Sequence, residues 1–266
     1  METKDIHIFE LTFCASLPLY VMDGKEIIGF GSGVIVEYKK RYFLCTAEHL
    51  IKQNKYSIGI QRGFLSEKGV EILTFDDFSF LKYTKLDKLI PENLNLAIKS
   101  FENKNALDIA IREVKLLNGL IQQQISIPIG KDTVEIPLGS KCIIPINLKY
   151  NINKKSIFSV AGMINSQKTN LERFSIEPRL ITGMKFSNIT NFLIEFNLGC
   201  PIENYSFFKG CSGAPIFNVN GNMIALLIGG DEDVKKPFVY GFRFDKIKEF
   251  IEMIYFNLSL DEVLKK

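Results

Sequence analysis

Two residue types that build metal sites and disulfide frameworks are scarce in this chain. Among its 266 residues there are two histidines, His7 and His49, which excludes a metal site made mainly of imidazole ligands. The five cysteines lie at Cys14, Cys45, Cys142, Cys200 and Cys211. Their number is odd and no two form a Cys-x-x-Cys pair, so the sequence predicts neither a disulfide framework nor zinc, and a reducing cytoplasm fits it best.

Long apolar runs and an excess of charge of one sign are also missing. The apolar segment 11–22 stops at Asp23, short of the roughly 18 to 20 residues of a membrane span. The acidic residues Glu2, Asp5 and Glu10 do not fit the basic start of a signal peptide. With 33 basic and 30 acidic side chains the formal charge is only +3. We therefore expect a soluble cytoplasmic protein that binds neither membrane nor nucleic acid.

The residues that are present indicate an all-β fold. Short runs rich in Ile, Val, Phe and Tyr alternate with Gly, Asn, Asp and Lys turns. The predicted strands are 27–36, 42–46, 56–61, 70–74, 108–114, 141–146, 157–164, 192–197, 215–219, 223–228 and 238–244. These are too many for one small barrel, and the segment 118–131 resembles a linker between halves. The Asn220-Gly221 pair predicts a hairpin turn between two of the strands.

One helix is predicted, at the end of the chain. Apolar residues from 244 to 258 recur at spacings of three and four and form one stripe, with charged residues on the other faces. Asp245 is predicted as the N-cap. The stripe is typical of a helix that packs against the body of its own protein.

The segment 208–215, Phe-Lys-Gly-Cys-Ser-Gly-Ala-Pro, carries the most specific chemical signal. Glycine precedes Ser212 by two residues and follows it directly, which allows backbone conformations with positive φ and a close approach of substrate. A serine held in such a turn can attack a carbonyl carbon while the N–H groups of Gly210 and Ser212 stabilise the oxyanion. The alternative is a glycine-rich turn with a buried serine.

A nucleophilic serine needs a base, and the chain offers one histidine after a strand and one carboxylate in a strand. His49 lies in the segment Thr-Ala-Glu-His that follows the predicted strand 42–46. Asp108 opens an otherwise apolar strand, where a carboxylate costs several kcal/mol unless it has a partner such as an imidazole N–H. Each residue taken alone could be structural.

Taken in order, Thr-Ala-x-His, Asp-Ile-Ala and Gly-x-Ser-Gly-x-Pro resemble the chymotrypsin/trypsin-like serine peptidases, particularly compact bacterial members related to the HtrA proteases. Gly31-Ser32-Gly33 followed by apolar residues resembles the segment that precedes the histidine in that family. The resemblance implies two six-stranded antiparallel β-barrels with the site between them: an N-terminal barrel over 1–120, a C-terminal barrel over 121–243, and a helix and tail over 244–266. It also implies that Ser212 is the nucleophile, His49 the base and Asp108 the residue that orients it.

The substrate pocket is predicted from the same motif alignment. Ser206 takes the position at the base of the pocket, where a neutral residue disfavours selection of Lys or Arg. Ile228, Gly229 and Gly230 align with the strand that pairs with the substrate backbone, and Lys209 is predicted to contact the substrate. An apolar residue before the scissile bond is the resulting hypothesis.

Two alternative chemistries fit the same residues less well. Cys211 is a less suitable nucleophile than Ser212, because Lys209 and not glycine lies two residues before it; it is predicted to be a neighbouring thiol, oxidation-sensitive at most. An α/β-hydrolase esterase needs Gly-x-Ser-x-Gly before a helix, whereas Ser212 precedes a strand.

The predicted function is a cytoplasmic serine endopeptidase that cleaves protein or peptide substrates through an acyl-enzyme and needs no metal or cofactor. Because an unregulated protease is harmful in the cytosol, narrow specificity or an activating partner protein is expected, as in a bacterial stress or antiphage effector. No PDZ domain is expected in the chain. The alternative is an inactive pseudoprotease that serves as a peptide-binding or protein-binding scaffold.

Overall fold

A computed structural model describes residues 3–66, 69–82, 106–115, 120–122, 124–129, 132–146, 152–164, 177–198, 208–230 and 237–257. The helices are α1 (Thr3–Ala15), α2 (Glu48–Ile51) and α3 (Phe244–Tyr255). The strands of the first half are β1 (Leu17–Asp23), β2 (Glu26–Tyr38), β3 (Arg41–Thr46), β4 (Ser57–Ser66), β5 (Gly69–Phe75), β6 (Ser79–Lys82), β7 (Ala106–Val114), β8 (Ile121–Gln122), β9 (Ile125–Ile129), β10 (Asp132–Ile136), β11 (Gly139–Ser140) and β12 (Ile144–Pro145). Those of the second half are β13 (Ile157–Ile164), β14 (Glu177–Ile189), β15 (Leu193–Asn197), β16 (Pro215–Asn218), β17 (Met223–Gly230) and β18 (Phe238–Arg243).

The first half is built on one large sheet. Its strands run in the order β5-β4-β1-β2-β3-β7-β6, and β12 adds to β2 in parallel, which makes eight strands. Between neighbouring strands of the path the pairing is antiparallel, and Gly33 of β2 lies opposite Thr46 of β3. Over the residues that the structure describes, this sheet is not closed into a ring.

The second half is a closed barrel of six strands, in the order β13-β14-β15-β18-β17-β16. Its interior is filled by aromatic and aliphatic side chains that are fully buried, among them Phe158, Phe196 and Ile216. The predicted all-β class with a C-terminal helix is therefore confirmed. The hairpin at Asn220-Gly221 is also present, since it joins β16 to β17 and Gly221 has a φ of +77°.

Helix α1 was not predicted. The apolar segment 11–22 does not form one element but divides at Ser16, between the end of α1 and the start of β1. The helix packs on β13 and β16 of the barrel. Its side chains Ile8, Phe9 and Phe13 are buried. None of the helices among the described residues is long and apolar enough to cross a membrane.

The predicted linker over 118–131 contains regular structure. Strand β9 pairs with β10 as an antiparallel hairpin, and the short strand β8 pairs with β11. Its apolar residues Ile125 and Ile127 are buried in the core, so the described part of this predicted linker packs against the rest of the protein. The domain limits at 120 and 243 stay predictions.

The C-terminal helix begins at Phe244, and its N-cap lies two residues before the predicted one. Arg243 is its N-cap and Asp245 lies in the first turn, where its carboxylate accepts a hydrogen bond of 3.0 Å from Nε of Arg243. Glu252, which was predicted to lie on the charged face, is 2% exposed. It is tolerated there because the Tyr38 hydroxyl donates a hydrogen bond to it and Lys39 lies 3.7 Å away.

Candidate active site

His49 and Asp108 form a partly buried pair at the junction of α2 and β7. The His49 Nδ1 atom lies 2.7 Å from Oδ2 of Asp108. The other carboxylate oxygen, Oδ1, accepts a hydrogen bond of 2.8 Å from the His49 backbone N–H. Asp108 is 1% exposed, whereas the His49 side chain is 30% exposed. The carboxylate is thus desolvated and holds both the ring and the backbone of His49, and part of the ring remains open to solvent.

The local sequence explains why the histidine is presented in this way. Helix α2 is a single turn that starts after Ala47, a residue whose side chain cannot cap the first N–H groups. Asp108 supplies the missing acceptor from the neighbouring strand. Glu48 closes the other end, where its Oε1 accepts a hydrogen bond of 2.8 Å from the N–H of Gln53. The turn is therefore fastened on both sides of His49.

Ser212 lies in a tight loop directly before β16. Gly210 and Gly213 have φ values of +91° and +88°, a region that side chains other than glycine rarely occupy. Two short turns shape the loop, with hydrogen bonds from Cys211 N to Phe208 O (3.0 Å) and from Ala214 N to Cys211 O (2.9 Å). The glycines in the motif thus meet the requirement for positive φ that the sequence indicated.

Hydrogen bonds fasten this loop to the large sheet of the first half. The Ser32 N–H donates to the carbonyl of Ser212, and the Ser32 hydroxyl donates to the carbonyl of Gly210, both at 2.8 Å. The Thr46 hydroxyl in turn donates to the Ser32 carbonyl at 2.7 Å. Both Ser32 and Thr46 are completely buried. The sequence singled out the segment around Ser32 but assigned this side chain no role.

These contacts bring the predicted nucleophile and the predicted base to one junction. Thr46 ends β3 three residues before His49, and Gly213 follows Ser212 directly. A Cβ atom added to Gly213 would lie 2.6 Å from Oγ1 of Thr46, which shows how closely the loop approaches the strand that leads to the histidine. The three predicted residues therefore come from separate parts of the sequence to the boundary between sheet and barrel.

The amide groups predicted to form the oxyanion hole lie in the same loop. Among the described residues, neither the N–H of Gly210 nor that of Ser212 has a hydrogen-bond acceptor. By contrast, the N–H of Gly213 donates to Leu227 O at 2.7 Å, and Leu227 N returns a bond to Ala214 O. The amide of Gly213 is thus engaged within the barrel, whereas the amides of Gly210 and Ser212 are available to a ligand.

The structure places the predicted substrate-contact residues as follows. Ser206 lies outside the described residues. Lys209 is exposed, Ile228 is buried, and Gly229 and Gly230 are partly exposed at the end of β17. A Cβ atom at Gly230 would lie 2.7 Å from the Phe238 carbonyl, so the approach of β18 explains this glycine. At Gly229 it would make only an ordinary contact of 3.6 Å with the Tyr240 ring.

The side chain of Cys211 lies in the barrel core and not at the candidate site. Its side chain is completely buried, and a Cβ atom at Gly162 would lie 2.7 Å from its sulfur. Burial raises the pKa of this thiol to about 12. A buried neutral thiol is neither a good nucleophile nor readily oxidised, which favours Ser212 as the reactive residue of the loop.

The arrangement of sheet, closed barrel and C-terminal helix is the chymotrypsin-like fold. Among solved structures the chain is similar to a mutant of human heparin binding protein, with a TM-score of 0.53 and 14% identity over 91% of this chain and 92% of that one. It is also similar to the serine endoprotease of Yersinia pestis, with a TM-score of 0.48 and 14% identity over 95% of this chain. The match covers 66% of the endoprotease, so this chain spans slightly under two thirds of its length. No family model and no curated protein matches the chain.

Proposed function

We propose that the protein is a serine endopeptidase that cleaves protein substrates through an acyl-enzyme. The observation that carries the proposal is the pairing of His49 with a fully buried carboxylate, at 2.7 Å between Nδ1 and Oδ2 of Asp108. A carboxylate at Nδ1 keeps the proton on that nitrogen and leaves Nε2 free to accept another. Stability alone does not explain the pair, because a buried carboxylate costs more than an apolar residue of similar size.

The reaction assigned to these residues is acyl transfer. Ser212 Oγ attacks the scissile carbonyl carbon and gives its proton to Nε2 of His49. The N–H groups of Gly210 and Ser212 donate hydrogen bonds to the oxyanion of the tetrahedral intermediate. His49 then returns the proton to the leaving amine, and water attacks the acyl-enzyme by the same route in reverse. No step in this sequence requires a metal or a cofactor.

A fluorophosphonate probe tests the nucleophile directly, because an activated serine displaces its fluoride and becomes covalently labelled. Wild type is expected to be labelled, Ser212→Ala not at all, and His49→Ala at a rate lower by about 10³-fold or more. Ser187→Ala is the matched control, since Ser187 is an exposed serine of the same barrel that bonds to Glu195. Its labelling should equal that of wild type.

A wild-type protein that is folded and remains unlabelled would overturn the peptidase proposal. That outcome favours the alternative of an inactive scaffold, which the fold permits, since a fold does not by itself determine an activity. One of the similar solved structures is named a heparin binding protein.

The proposed peptidase is also expected to cleave only a narrow range of substrates. We infer that the enzyme works in the cytoplasm on a restricted set of proteins, with an apolar residue before the scissile bond. An activating partner protein and a role as a bacterial stress or antiphage effector fit such a restriction. The isolated chain is therefore expected to leave casein intact on a gel over hours, even when its serine reacts with the fluorophosphonate. Rapid digestion of casein would contradict the restricted specificity while leaving the peptidase proposal in place.

A further inference from the structure

Two cysteines far apart in the sequence lie side by side, away from the candidate active site. Cys14 is in the last turn of α1, and Cys142 follows β11. The N–H of Cys142 donates a hydrogen bond of 2.7 Å to the carbonyl of Cys14. A disulfide spans Cα atoms about 4.4 to 6.8 Å apart, a separation that a backbone hydrogen bond between the two residues permits. Both residues are partly exposed.

A partly buried lysine, Lys141, connects the segments around the two cysteines. The Lys141 Nζ donates hydrogen bonds to the carbonyls of Phe13 and Ser16 at 2.8 and 2.6 Å, and to Oε1 of Gln122 at 2.6 Å. These three bonds satisfy the ammonium group and tie the end of α1 to the segment that carries Cys142. Burial lowers the pKa of Lys141 to about 8.

The two thiols are chemically unequal. A hydrogen bond from Cys14 and then the charge of Lys141 lower the pKa of Cys142 to about 7, against the opposing effects of burial and of Glu10. The pKa of Cys14 is raised, first because it donates that hydrogen bond and then by burial. The lowered pKa of Cys142 and the adjacent Lys141 ammonium favour Cys142 as the nucleophilic thiolate and Cys14 as the second, resolving thiol, an arrangement typical of redox-active pairs.

We propose that Cys14 and Cys142 are a redox-active dithiol that closes to a disulfide when it reacts with a hydroperoxide. The Cys142 thiolate attacks the terminal peroxide oxygen, the O–O bond breaks, and the alkoxide or hydroxide that leaves takes up a proton. Cys142 is then a sulfenic acid. The Cys14 sulfur attacks the Cys142 sulfur and expels the hydroxyl group as water, with the proton of the Cys14 thiol. Two thiols are oxidised by two electrons and the peroxide is reduced.

The disulfide would join α1 covalently to the segment after β11. Because α1 packs on β13 and β16, the link would tie the segment after β11 to a helix that contacts the barrel carrying Ser212. It would close a long loop, since the two cysteines lie far apart in the sequence, and such a bridge restricts the unfolded chain strongly. A transient bridge of this kind is compatible with a cytoplasmic protein, in which disulfides occur mainly as redox sensors.

Treatment of the full chain with hydrogen peroxide, followed by peptide mapping without reduction, tests the proposal. We expect a peptide pair that joins Cys14 to Cys142, lighter than its two thiol peptides by the mass of two hydrogen atoms and separated again by dithiothreitol. The Tm of the oxidised protein should rise by several degrees. In Cys14→Ser the Cys142 sulfenic acid should persist and be trapped by dimedone, and Cys142→Ser should show no reaction at Cys14.

Cys45→Ser is the matched control, because Cys45 is completely buried and burial raises the pKa of its thiol. This variant should form the bridge as readily as wild type. Failure of peroxide-treated wild type to give the Cys14–Cys142 peptide pair would overturn the proposal, as would equal dimedone trapping in wild type and Cys14→Ser. None of these readouts depends on peptidase activity, so the proposed function and this proposal fail independently.

Discussion

Asp108→Asn is expected to lower the rate constant of fluorophosphonate labelling by about 10⁴-fold, the loss that this substitution causes in serine peptidase triads. The physical reason is the tautomer of His49. The amide oxygen can still accept the His49 backbone N–H, as Oδ1 does at 2.8 Å. The amide NH₂ then faces Nδ1, which must accept its hydrogen bond and so loses its proton to Nε2. A ring protonated at Nε2 cannot take the proton of Ser212.

The control for Asp108→Asn is the same substitution at a second aspartate, Asp245. Asp245 pairs with Arg243 at the start of α3, outside the residues assigned to the reaction. Asp245→Asn should therefore label at the wild-type rate. Circular dichroism and urea unfolding of both variants establish that they are folded. A labelling rate for Asp108→Asn within tenfold of wild type would show that Asp108 does not orient the base.

The parts of the fold that could be predicted are those with a local periodic signal. Strand β13 was predicted with its observed limits, and α3 was recognised by its apolar stripe. Helix α1 gave no such signal because its faces differ little in polarity: its buried face, Ile8, Phe9, Thr12, Phe13 and Ala15, includes a threonine, and Leu11 and Cys14 on the partly exposed face are apolar as well. Strand β9 was missed because Pro128 lies within it, and proline ordinarily weakens a strand prediction.

In the candidate site, too, residues with a local sequence signal could be predicted and long-range contacts could not. The sequence could indicate Ser212, His49 and Asp108 because the chemistry restricts the residue types around each of them. It could not indicate that the Ser32 hydroxyl would bond to the Gly210 carbonyl, since that contact joins residues 178 positions apart. The Cys14 and Cys142 pair was missed for the same reason. Contacts of this kind depend on how the sheet and the barrel are placed, which no local pattern encodes.

Because the loop around Gly213 lies so close to β2 of the large sheet, Gly213→Ala is expected to lose much stability. Its φ of +88° is unfavourable for alanine, and the handedness of L-amino acids makes such a conformation cost about 1 to 2 kcal/mol. The new Cβ atom would also lie 1.9 Å from the Ser32 carbonyl oxygen, a backbone atom that cannot rotate away. Relieving this clash must separate the loop from β2 and strain the hydrogen bonds at Ser32, which adds about 1 to 3 kcal/mol.

Together these two effects should lower the free energy of unfolding by roughly 2 to 5 kcal/mol, measured by urea unfolding at equilibrium. Gly183→Ala is the matched control, because Gly183 lies in the same barrel with a φ of +77° and an added Cβ atom would meet nothing within 4 Å. It should lose only the conformational part, about 1 to 2 kcal/mol. If the two variants were equally stable, the loop would be free to move away from the sheet. The junction that holds Ser212 beside the strand leading to His49 would then be adaptable, and the Ser32 contacts would not be what positions the nucleophile.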